Sequence, residues 1–145
     1  MPRRPEPPRL TRVLGCRAAT GTVWELISRP DRWSEWSLYV RGAEGLGDPE
    51  VKAGAKGRVI VAGGLKVPAE ILEVEPGRSW SWKVGGVIVD HVVEPDGHGS
   101  RLSMPVRSAG PAWAPVALAY APIVDLFTSR IVAIAEAEAE TKGAG

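Results

Sequence analysis

The chain has few of the residues that build disulfides, metal sites and nucleophilic centres. It contains one cysteine, Cys16, and two histidines in 145 residues. A single cysteine excludes an internal disulfide and is compatible with a reducing compartment. The two histidines have no ligand spacing, so no metal is expected. Cys16 has no thiolate-activating neighbours in sequence and is read as a small buried apolar residue. Neither sign of charge dominates: 18 Lys and Arg oppose 17 Asp and Glu, for a net charge of +1. No global field therefore recruits nucleic acid or an anionic membrane. The chain has no G-x-S-x-G elbow, no P-loop, and no G-x-G-x-x-G between a strand and a helix. Its longest uncharged run, "AGPAWAPVALAYAPIV" (109–124), is shorter than the ~20 residues of a membrane span and carries three prolines. A cytoplasmic soluble protein is expected, without cofactor, nucleic-acid partner or stable membrane insertion.

Phenylalanine (one) and tyrosine (two) are also scarce, yet there are six tryptophans. Three of them, Trp24, Trp33 and Trp36, fall within "VWELISRPDRWSEWS". Hydrophobic residues make up 44% of the chain and charged residues 24%, ordinary for a globular domain. A domain of this size buries roughly 68–70% of its unfolded surface, enough for a core that needs no staple. The opening "MPRRPEPPRL" has charge and four prolines but no apolar centre, so it is not a signal peptide. Residues 1–8 are expected to form a flexible tail, 9–141 one domain, and 142–145 a second tail.

Within that domain a first strand is expected over 9–18. Thr22 followed by Glu25 has capping-box spacing, which predicts a short helix over 22–28. Pro30 suits the first position of a second short helix, 30–35. The middle of the chain reads as an antiparallel meander turning at Gly63-Gly64, Pro76-Gly77, Gly85-Gly86 and Asp96-Gly97. Alternation puts Trp80, Trp82 and Val84 on one face and Ser79, Ser81 and Lys83 on the other. Val87, Val89, His91 and Val93 form the same kind of apolar face, as do Leu102, Met104 and Val106. From Val116 the period is helical, through Tyr120, Ile123, Phe127, Ile131 and Ile134, with Pro122 expected to kink or interrupt the segment. A helix over 123–141 spans about 28 Å, and seven strands span about 29 Å, so one could cross the other.

This order of elements, with "VWELISRPDRWSEWS", "EILEVEPGRSWSWKVGG" and "DHVVEPDGHGSRLSM", resembles the START-like SRPBCC superfamily in its polyketide cyclase/dehydrase and lipid-transport branch. The resemblance covers about residues 9–141. It implies an α+β helix-grip fold: a curved seven-stranded antiparallel sheet, two short helices after the first strand, and a long C-terminal helix over the sheet. It also implies an internal cavity for a small hydrophobic or polyketide-like molecule. The resemblance carries no invariant catalytic signature.

Several side chains are candidates for that cavity. Trp80 and Trp82 alternate onto the face that the helix should cover, where they either fill core or stack on a flat ligand. Val89, Met104, Tyr39, Tyr120, Ile123 and Phe127 are the other expected ligand-binding residues. Trp24 and Trp36 read as core, Trp36 near one end of the cavity. His91, on the inward face, is either a hydrogen-bonded core residue or an acid–base group. His98 falls in a turn and is expected in solvent. Arg130 falls near the centre of the helix face made by Val116, Ile123, Phe127 and Ile134. There a guanidinium must snorkel, pair with a carboxylate such as Glu70 or Glu73, or meet a polar ligand group. His91 and Arg130 are the candidate catalytic pair for a cofactor-free cyclisation or dehydration. A non-catalytic carrier or sensor, or a protein-interaction module with an apolar groove, remains the alternative.

Overall fold

The structure, a computed structural model, describes residues 12–143, with side chains described through residue 141. The tail expected over 1–8 lies outside the described residues. In chain order the elements are β1 (Val13–Cys16), α1 (Thr20–Ser28), a 3-10 turn (Pro30–Arg32), α2 (Trp33–Trp36) and β2 (Val40–Glu44). Strands β3 (Lys56–Val61), β4 (Lys66–Glu75), β5 (Ser79–Val84), β6 (Val87–Asp96), β7 (Gly99–Ser103) and β8 (Val106–Ser108) follow. A second 3-10 turn (Pro111–Trp113) leads into α3 (Ala114–Gly143). This is the α+β helix-grip architecture, with sheet order β1-β7-β6-β5-β4-β3-β2, every pair antiparallel.

The sheet has eight strands rather than the expected seven because β7 and β8, both paired to β6, are separated at Met104-Pro105. Pro105 has no N–H to give to a ladder. Its carbonyl still accepts from Asp90 N at 3.0 Å, which keeps the two pieces in one row. All four expected turns are present, with positive φ at Gly63, Gly64, Gly77, Gly85 and Gly97.

Two expectations about the helices need correction. Helix α1 begins at Thr20 with Ala19 as its N-cap and has no side-chain cap, so Thr22 is a helical residue rather than a capping residue. Thr22 N and Val23 N both bond Ala19 O, at 3.1 and 3.4 Å, which starts the helix two residues early. Pro122 does not interrupt α3, which runs unbroken for 30 residues. It continues through Gly143, into the segment expected to be the second tail.

The stretch Pro111–Thr141 is long and apolar enough, with a hydropathy of 1.5, to cross a membrane by length and composition. In this fold it packs against α1, α2, β1, β6, β7 and β8. Its buried row is Ala117, Ala121, Val124, Thr128, Ile131 and Ala135, with Phe127 beside it. Those spacings of three and four make one face, and small side chains there let the helix lie close to the sheet. Thr128 satisfies its buried hydroxyl by donating to Val124 O at 2.9 Å.

Candidate functional site

The tryptophans of the first helical segment have a backbone task. A helix leaves its last four carbonyls without intrahelical partners. In α1, Leu26 O accepts from Trp36 Nε1 at 2.8 Å and Ile27 O accepts from Trp33 Nε1 at 2.9 Å. Ser28 O accepts from Val51 N at 2.9 Å. Indoles suit this position because each offers one donor on a large apolar body. Three of those four carbonyls are thereby satisfied at the end of α1. Trp24 is also buried and points its Nε1 at Glu50 Oε2, 3.3 Å away.

With Trp33 held there, its ring lies parallel to Trp80 at 5.3 Å and 9°. His91 covers the other face of Trp80, with centroids 3.7 Å apart and planes 3° from parallel. Trp80 and His91 are directly opposite on β5 and β6, so the strand register sets this contact. Trp82 stands edge-on to both Trp33 and Trp80, at 5.2 and 5.6 Å.

Beyond this stack the interior is hollow, in two compartments. The inner one has a volume of about 20 Å³. It is bounded by Trp33, Trp36 and Ser37 of the α2 region, Trp80 and His91 of the sheet, Met104, and Val124 and Phe127 of α3. The outer one holds about 240 Å³ under the start of α3. Its walls are Val59 and Val61 of β3, Val67 of β4, Val84 of β5, Val87 of β6, and Tyr39 and Val116 at the rim. Val40, Trp82, Val89 and Tyr120 line both compartments and mark the boundary between them. Tyr39 is 50% exposed and Val116 47%, so the outer compartment reaches solvent between them. Near this rim Trp113 lies flat on the Gly85-Gly86 turn, against a position where a Cβ on Gly86 would collide with its indole. Only glycine allows that approach.

The space is apolar, and burial favours the neutral forms of Tyr120 and His91 at its edge. Burial pushes the Tyr120 hydroxyl above its ordinary pKa. Burial also lowers His91 from 6.5 to about 4, outweighing the hydrogen bond that favours its charged form. Its Nδ1 lies 3.1 Å from Trp80 O, which can only accept, so Nδ1 carries the proton and Nε2 is the acceptor nitrogen of the neutral ring. Such a ring can orient a donor, but it is a poor source of protons near neutral pH.

Of the residues expected around a ligand, Trp80, Met104 and Phe127 line the inner compartment, Tyr39 the outer, and Trp82, Val89 and Tyr120 both. Ile123 packs on the core but lines neither. Arg130 is the correction. Its side chain is exposed on the outside of α3, where Nη2 donates to Glu35 O at 3.1 Å, and it lines neither compartment. The expectation followed the large residues of α3, whereas the seam follows the small ones, turned by about one residue's step of 100°. It therefore leaves Arg130 outside and separates it from His91. Glu70 and Glu73 form no pair with it; Glu73 is exposed, next to the bulge in β4 between Ile71 and Glu73. His98 is exposed in its turn.

Sequence reasoning missed Val59 and Val61 of β3 and Val67 of β4, and it put Val84 and Val87 on the inner face without assigning them to the ligand; the inward alternation of Val59, Val61 and Val67 was the available signal. It also missed Arg32. This side chain bonds Glu35 at 2.8 Å and Glu138 at 2.7 Å, tying the α2 region to α3. Those bonds hold the Glu35 carboxyl below its ordinary pKa and raise that of Arg32. Among the described residues no cluster of three or more His, Cys, Asp or Glu is arranged to hold a metal ion.

Residues 11–136 match the family described as polyketide cyclase/dehydrase and lipid transport. The chain belongs to that family. Solved structures agree on the fold of this polyketide cyclase/dehydrase relative. The polyketide-cyclase-like protein Cgl2372 of Corynebacterium glutamicum is similar at 21% identity and a TM-score of 0.65, over 92% of this chain and 95% of that one. Protein SSP2350 of Staphylococcus saprophyticus is similar at 11% identity and a TM-score of 0.67, over 88% and 91%. DynU16, a protein of the dynemicin biosynthetic locus, is similar at 20% identity and a TM-score of 0.63, over 88% of this chain but 46% of that one. No curated protein matches the chain.

Proposed function

We propose that this polyketide cyclase/dehydrase family member binds one small, largely apolar molecule in the cavity between α3 and the sheet. The observation that carries this reading is the outer compartment, about 240 Å³ walled by valines, Trp82 and two tyrosines, with an opening to solvent. An apolar cavity of roughly 150 Å³ stays dry and takes benzene, so this volume suits a one- or two-ring molecule or a short acyl chain. It lies just below the roughly 300–1,000 Å³ of pockets for drug-sized ligands, which argues against a tetracyclic guest. The placement of DynU16 in a biosynthetic locus makes a polyketide-derived ligand a reasonable class to try first.

Within this reading we favour a carrier or sensor over a cyclase or dehydratase. Proton-transfer chemistry on a carbonyl chain needs an acid and a base poised near the working pH. Here the histidine is neutral with a pKa of about 4, and the candidate cation, Arg130, faces away. The catalytic alternative would rest on Tyr120 and His91, which border the same inner compartment. The reading also takes the protein to be cytoplasmic, where Cys16 stays a buried free thiol.

The test is equilibrium binding of 2-methylnaphthalene to the wild type and to Val67→Trp, alongside native mass spectrometry of the protein as purified. The wild type should bind one equivalent, and the added indole should abolish binding without unfolding the protein. Equal binding by the variant, or none by the wild type, would overturn the cavity reading.

A further inference from the structure

Trp80 lines the cavity with a fully buried polar edge whose hydrogen bonding is incomplete. It is 1% exposed, and its indole Nε1 has no partner among the described residues. Trp33, Trp36 and Trp24, by contrast, each donate to a carbonyl or a carboxylate. A buried N–H left without an acceptor costs about as much as a lost hydrogen bond, so an acceptor at this position would be strongly favoured. Both faces of the ring are covered, by Trp33 on one side and His91 on the other. What Trp80 presents to the inner compartment is therefore a ring edge.

That compartment measures about 20 Å³. One water needs roughly 10–15 Å³, so the space is of a size for a single oxygen atom. His91 lines the same space, and with Nδ1 engaged by Trp80 O its Nε2 is free to accept. Trp82 and Tyr120 line both this spot and the outer compartment, which places the two spaces side by side.

We propose that the inner compartment is a single-oxygen subsite that selects a hydroxyl on an otherwise apolar ligand. The Trp80 N–H donates to the ligand oxygen, and the ligand O–H donates to Nε2 of His91. A carbonyl or ether oxygen satisfies only the first bond and a methyl group neither, so the favoured ligand is a phenol or an alcohol with its ring body in the outer compartment. This proposal rests on the cavity reading above and adds to it the polar chemistry of the guest.

Two probes of nearly equal shape separate the two claims. 2-Naphthol should bind the wild-type protein roughly tenfold more tightly than 2-methylnaphthalene, the fold-change of one net buried hydrogen bond. Trp80→Phe, which keeps a stacked ring and removes the donor, should erase that preference, bringing the ratio of the two affinities to about one. The Trp80 indole proton provides a readout in the wild type that does not depend on how well the variant folds. Its resonance should move downfield with 2-naphthol and stay in place with 2-methylnaphthalene. Equal affinities for the two probes, a preference that survives Trp80→Phe, or an indole proton indifferent to 2-naphthol would each overturn the oxygen subsite while leaving the cavity reading intact. Failure of both probes to bind would overturn both.

Discussion

The His91 imidazole lies flat on the Trp80 indole, 3.7 Å between centroids, and donates Nδ1–H to the backbone carbonyl of the same tryptophan. One residue thus supplies both the hydrogen bond that fixes the histidine tautomer and the apolar surface that keeps the ring neutral.

Acid should therefore destabilise the protein through His91. Its folded pKa is lowered, to about 4 from 6.5. As pH falls below 6.5 the unfolded chain takes up a proton that the folded one refuses until about 4, so stability is full above this window and lost on the way down. The loss across the window is on the order of 3 kcal/mol. Urea unfolding of the wild type and of His91→Phe through this range should give a markedly flatter profile for the variant. Parallel profiles would mean that His91 does not titrate as a buried neutral ring.

Trp36→Phe should cost about 1–3 kcal/mol, because the ring's contact with Phe127 is kept while the Leu26 carbonyl loses its donor. Denaturant midpoints at constant slope would measure it. An unchanged midpoint would show that the end of α1 finds another donor.

Gly86→Ala should destabilise the wild type by about 1–3 kcal/mol through its collision with Trp113. In a Trp113→Ala background the same change should cost almost nothing. A double-mutant cycle with no coupling would place the indole elsewhere.

Arg32→Met should cost about 1–2 kcal/mol, since this guanidinium is only 19% exposed and bonds carboxylates on two elements. Arg130→Met should stay within about 0.5 kcal/mol of wild type, as expected for an exposed side chain with one bond to a carbonyl. Thermal unfolding of the two variants side by side checks the contrast, and the reverse order would contradict the structure.

The sheet was readable in the sequence because its rules are local. A period of two assigned Trp80, Trp82, Val89 and His91 to the inner face, and Gly-Gly, Pro-Gly and Asp-Gly pairs marked the hairpins. The helix was harder to read. Its large residues Val116, Ile123 and Ile134 suggested a face that would have buried Arg130, while Ala117, Ala121, Thr128 and Ala135 form the row that touches the sheet. Close approach favours small side chains, and hydrophobicity alone does not register that preference.

By itself the sequence determined the element order, the inner face of each strand and the places where the chain turns, since each depends on neighbours a few residues away. The tertiary structure alone decided how α3 is rotated on the sheet, and so which polar groups meet the cavity. It also decided that Trp33 and Trp36 close the end of α1, six and ten residues along the chain from the carbonyls they cap. Those outcomes depend on how two surfaces fit when they come together, and a buried carbonyl takes whatever donor the packing delivers to it.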